Sequence, residues 1–162
     1  MNAKDVIRNT IDMSSMVIDS YLKDLSDADL LVRPVAGMNH IAWQLGHLIG
    51  AERHFVELVA PGSSPALPDD FQQGHGRDKH TEDDPSKFYP LARYRELWGA
   101  QRQATLALLD RLAEADLDRS DATFPPFAPT VGALLNMVGN HPMMHAGQFV
   151  AVRRALGKPV SL

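Results

Sequence analysis

The chain has 162 residues, 44% of them apolar and 22% charged, with a formal net charge of −4 and no cysteine. That length favours one domain over residues 1–162, with a core large enough to stand without staples, and the composition excludes global disorder. The acidic excess excludes a nucleic-acid footprint, and the missing cysteine excludes disulfides, thiolate metal ligands and a cysteine nucleophile.

The first helix is expected over residues 3–25, where Val6, Ile7, Ile11, Val17, Ile18, Tyr21 and Leu22 recur at mostly helical spacing. Lys4 and Asp5 stand where a signal peptide would build its apolar core, and no apolar run approaches the ~18 residues that span a bilayer, so a cytoplasmic protein is expected. Ser26-Asp27-Ala28-Asp29 and Arg33-Pro34 break the pattern.

The second helix is expected over residues 39–59, with Asn39 as N-cap. Ile41, Leu45, Leu48, Phe55 and Leu58 trace its apolar face. His40, His47 and His54 are seven apart, and a straight helix drifts only about 20° per heptad, so the three share a stripe. Glu52 is five residues past His47 and is expected on another face, toward solvent.

Residues 61–87 are rich in Pro, Gly, Ser and Asp and read as a long irregular loop, with His75 and His80 solvated. A connection this long inside a compact domain often carries function. The third helix is expected over residues 90–115, from the stripe of Leu91, Tyr94, Leu97, Trp98, Leu108 and Leu109. A second linker, 116–129, contains Phe124-Pro125-Pro126-Phe127 and cannot be helical throughout.

The fourth helix opens on Thr130 as N-cap and stops at Gly157, with Arg153 and Arg154 complementing the dipole of its last turn. Pro142 interrupts it and predicts a kink, a bulge or a split. Four helices without alternating strand patterns give an all-α four-helix bundle with a long crossover loop between the second and third. Two of the connections are long, so a simple up-down-up-down path does not follow.

His141 and His145 are four apart on the last helix. That spacing turns about 40° and rises about 6 Å, so both rings leave one face and can grip one divalent ion. A third ligand must come from another helix. The second helix offers His47 at its centre; His54 stays open if the second and fourth helices run parallel, and His40 near the helix end is the weakest choice. Gln148 is close enough to His145 to line a pocket, and Asn140 precedes His141. Met137, Met143 and Met144 read as core filler, and Trp43 and Trp98 as packing residues.

The segments NHIAWQLGHLIGAERHF (39–55) and NHPMMHAGQFVAVRRALGKP (140–159) resemble the DinB-like family of bacterial metal-binding four-helix bundles. The resemblance places the metal ligands on His47, His141 and His145, with Pro142 a departure from the plainer helical pattern. It implies a homodimer, reinforced by wide apolar stripes on the first and third helices, and a divalent metal, zinc or nickel given imidazole ligands alone. It also implies reaction with a small-molecule thiol of the bacillithiol, mycothiol or glutathione type and an electrophile, as a transferase or isomerase. The alternative is a non-catalytic metal- or ligand-binding bundle of a stress response. A structural bundle whose histidines bind nothing is the third reading.

Overall fold

A computed structural model describes residues 1–160. Four long helices carry the fold: α1 (Ala3–Leu22), α2 (Ile41–Val59), α4 (Leu91–Arg111) and α5 (Val131–Ala155), with a short α3 (Phe71–His75) between α2 and α4. There is no strand among the described residues, and the all-α bundle expected from the periodicities is present.

Local signals set the helix ends. Asn2 and Asp5 form a reciprocal capping box at the start of α1. Thr130 caps α5 by accepting from the Ala133 N–H. Gly157 follows the end of α5 at φ +67°, in the left-handed region glycine favours. His40, not Asn39, caps α2: its Nδ1 accepts from the Trp43 N–H at 3.1 Å, while its Nε2–H donates to the Glu82 carbonyl at 3.0 Å.

Pairwise contacts fix the path. Gln44 and His47 of α2 meet His145 and His141 of α5, so these helices are antiparallel. Glu52 meets Thr105 while Leu45 and Tyr94 share a groove, so α2 and α4 are parallel. Tyr21 meets Arg153 and Thr10 lies against Gly139, so α1 and α5 are parallel. The bundle therefore runs up-down-down-up. A parallel pair needs a crossover as long as the bundle, which is the physical reason for the long 60–90 connection.

That connection is not irregular throughout. Besides α3 it holds 3₁₀ turns at Arg77–Lys79 and Pro85–Lys87. His75 is 5% exposed rather than solvated. Its Nδ1–H donates to the Phe71 carbonyl at 2.7 Å and its Nε2 accepts from the Tyr94 hydroxyl at 2.7 Å. The ring fills a recess that exists because residue 46 is glycine: a Cβ there would collide with the imidazole. His80 is exposed, as expected.

The apolar interior falls into two clusters. One gathers Ile18, Leu45, Ile49, Tyr94 and Phe149; the other gathers Ile11, Val56, Leu109, Leu134 and Leu135. Between them each long helix contributes polar groups: Ser14, His47 and Glu52, Gln101 with Arg102 and Thr105, and His141 with His145. A polar layer crossing a core is costly unless its members satisfy one another, and it is where chemistry is to be sought. No described helix is long and apolar enough to cross a membrane.

Candidate metal centre

The histidine end of this layer is built on the antiparallel α2–α5 contact. His47 and His141 are half-buried and His145 is buried. Their Nε2 atoms converge: His47 to His141 is 3.3 Å and His141 to His145 is 3.2 Å. Ligand atoms on all three lie within 4.8 Å of one another. Nitrogens at the corners of a tetrahedron about a zinc ion, with bonds of about 2.0–2.1 Å, stand about 3.3 Å apart. Two of the observed separations match that edge.

Neighbouring groups aim these rings. The Gln44 amide donates to the Asn39 carbonyl at 2.8 Å, which turns its Oε1 toward His145 Nδ1 at 2.8 Å. His145 Nδ1–H donates there, so its Nε2 carries the free lone pair, the arrangement that prepares a histidine for a metal. Trp43 lies one turn before His47 and stacks on its ring, with centroids 5.0 Å apart and planes 6° from parallel. Burial and the neighbouring imidazoles push His141 down to about 4 and His145 to about 3. Burial, with a smaller contribution from the Arg77 charge, also lowers His47. All three are neutral at neutral pH, the form that ligates. Three lone pairs aimed at one point repel unless a proton or a cation sits among them, so the donor set fits a divalent ion.

The other histidines are elsewhere. His54 is exposed, and the antiparallel sense of α2 and α5 carries it away from His141 and His145, by about 10 Å of helix rise from His47. His40 serves as the α2 cap and His75 as a loop anchor. Gln148 lines neither cavity beside the site. Met143 and Met144 are 40% and 60% exposed, so they are not core filler.

Pro142 does not split α5, which is continuous from Val131 to Ala155. Glu52, expected at the surface, is 3% exposed. It accepts from the Thr105 hydroxyl at 2.6 Å and pairs with Arg102, whose Nε lies 3.2 Å from Oε2. Burial raises the Glu52 carboxyl and lowers the Arg102 guanidinium, while each charge opposes the shift of the other. Leu48 and Glu52 lie one turn apart, and that spacing is the sequence signal that could have placed Glu52 inside.

Two open cavities border the histidines. One of about 410 Å³ is lined by His47, Phe55, Phe71, His75, Arg77 and Phe127 among others. The second, about 260 Å³, shares His47, Phe55, Arg77 and Phe127 and adds Met137, His141 and Met144. A larger groove of about 530 Å³ lies between α1 and α4, away from the three histidines, and offers no convergent ligands.

Comparison with known proteins identifies the family and the fold. The family model of the DinB superfamily matches residues 10–149, and the chain belongs to that superfamily. A crystal structure described as the conserved protein of locus from Enterococcus faecalis is similar, with a TM-score of 0.71 at 18% identity over 98% of this chain and 99% of that one. At that identity the likeness shows the fold. No curated protein matches.

Proposed function

We propose that this DinB superfamily member holds one divalent ion, zinc or nickel, on His47, His141 and His145, and acts on a low-molecular-weight thiol and an electrophile as a transferase or isomerase. The convergence of three Nε2 atoms beside open cavities carries the reading. Imidazole donors suit either metal. When bound there, the ion would supply Lewis acidity that favours the thiolate form of a thiol near neutral pH.

The chain's own residues supply the rest. Gln44 fixes the tautomer of His145, and Trp43 holds the plane of His47. Phe55, Phe127 and Met137 give the cavity wall an apolar surface. The open cavities favour a reactive site over a non-catalytic binding module, in which the remaining metal positions would be closed.

Elemental analysis of untagged protein, combined with a screen for thiol–electrophile adducts, tests the reading. Bound metal with adduct formation supports it. Metal without any adduct points to the binding module, and protein purified without metal contradicts the site.

The same reading makes the protein a cytoplasmic homodimer of one domain per chain. The groove between α1 and α4, lined by Ile18, Leu22, Tyr94 and Trp98, and the exposure of Met13 and Met16 on α1 support the pairing. A monomer mass by light scattering at micromolar concentration would contradict it.

A further inference from the structure

Among the described residues, Arg77 is the one formally charged side chain lining either cavity beside His47 and His141, and no carboxylate lines them. Its guanidinium makes no hydrogen bond or ion pair with any described residue; the adjacent Asp78 is paired with Lys79 at 3.3 Å. The three proposed ligands are neutral, so a divalent ion on them would keep its full charge. With that ion bound, the cavities would be positive at two points, and their lining also includes the apolar Phe55 and Phe127.

Arg77 is exposed, and the backbone that carries it is held in place. The Trp43 indole N–H donates to the carbonyl of Gly76, the residue before Arg77, at 3.2 Å. That same indole stacks on the His47 ring. Two residues before Arg77, His75 is wedged against Gly46 and bonded to Tyr94. One tryptophan thus ties the backbone that carries Arg77 to a histidine of the candidate centre, and a buried histidine pins the segment from the other side.

We infer that Arg77 is a specificity residue that binds the carboxylate of an anionic thiol ligand, whose apolar middle lies against Phe55 and Phe127 and whose other end reaches the histidine site. This rests on the thiol reading proposed above. Guanidinium–carboxylate pairing is directional and charge-assisted, so Arg77 discriminates a carboxylate from a neutral amide of the same shape.

The test uses cobalt-loaded protein and a series of ω-mercaptocarboxylates of graded length with their neutral amides. Calorimetry reads affinity, and the sulfur-to-cobalt charge-transfer band reads whether the thiol reaches the metal. At the favoured length the carboxylate is expected to bind about tenfold more tightly than the amide. Arg77→Gln is expected to abolish that preference without weakening the amide, Arg77→Lys to keep part of it, and Arg154→Gln, on the exposed end of α5, to leave it intact. Trp43→Phe, which removes the indole donor to Gly76, is expected to reduce it. Equal affinities for acid and amide in the wild type, or a preference that survives Arg77→Gln, would overturn the inference. A calorimetric preference lost in Arg77→Gln but without any charge-transfer band would uphold Arg77 as the carboxylate site and contradict the thiol reading instead.

Discussion

Arg102 on α4 donates from Nη2 to the carbonyl of Val138 on α5 at 3.4 Å, across the diagonal of the bundle. Val138 is four residues before Pro142, so its carbonyl is the one that the proline, having no N–H, leaves without a helical partner. Val138 is buried in the core, where an unmet carbonyl is costly. Arg102 is itself held by Glu52 and lies over the Trp98 ring, 4.4 Å from its centroid. The buried ion pair and the proline within the continuous α5 are one arrangement: α5 keeps a proline between His141 and His145 because a cation from α4 takes up the freed acceptor.

A double-mutant cycle tests this. Arg102→Met alone strands the buried Glu52 charge and is expected to cost about 3–5 kcal/mol. In a Pro142→Ala background, where residue 142 can donate to Val138, the cost is expected to fall by about 1 kcal/mol. Urea denaturation reads both, and strict additivity would mean that Arg102 does nothing for the Val138 carbonyl.

Gly46→Ala places a methyl group into the His75 ring. It is expected to displace His75, break its bond to Tyr94 and cost about 1–3 kcal/mol as an overpacked contact. Hydrogen exchange is the discriminating measurement: protection should fall in residues 71–79 more than in α5. Unchanged protection there would remove the anchoring role given to His75.

The helical content and the ends of α5 were legible because they depend on local signals, such as the stripes of Ile11 and Leu45 and the cap at Thr130. The His141/His145 pair was legible because four residues on one helix share a face. The burial of Glu52 is not legible in the sequence because its partner, Arg102, is 50 residues away on a helix whose direction the sequence does not show. The burial of His75 is hidden for a similar reason: the Pro- and Asp-rich composition around it describes the backbone, while its burial comes from a recess at Gly46 and a hydroxyl on α4. The sequence leaves His54 open as a ligand, and the antiparallel sense of α2 and α5 separates it from His141.

Stability of the metal-free protein is expected to fall as pH drops from 7 to 5. His40, His47, His75, His141 and His145 all titrate below the usual 6.5, chiefly because burial disfavours the cation. The unfolded chain takes up protons near 6.5, while His141 waits until about 4 and His145 until about 3. Between those values the unfolded state binds more protons, so the stability present above 6.5 is lost as pH falls. Asp24 and Glu57, whose carboxyls are held low by Arg153 and by the Gly62 and Ser64 N–H groups, add their loss only in the more acidic carboxylate range. A melting temperature that is flat between pH 7 and pH 5 in the presence of chelator would contradict this account.

The most direct test of the central claim is metal stoichiometry, by elemental analysis and zinc titration, in the wild type and in single alanine variants of His47, His141, His145 and His54. One ion per chain is expected in the wild type and in His54→Ala. Each of the other three variants is expected to lose affinity by orders of magnitude, because two imidazoles hold an ion poorly. Full occupancy in His47→Ala, or loss of the ion in His54→Ala with retention in His47→Ala, would contradict the centre described by the converging Nε2 atoms of His47, His141 and His145.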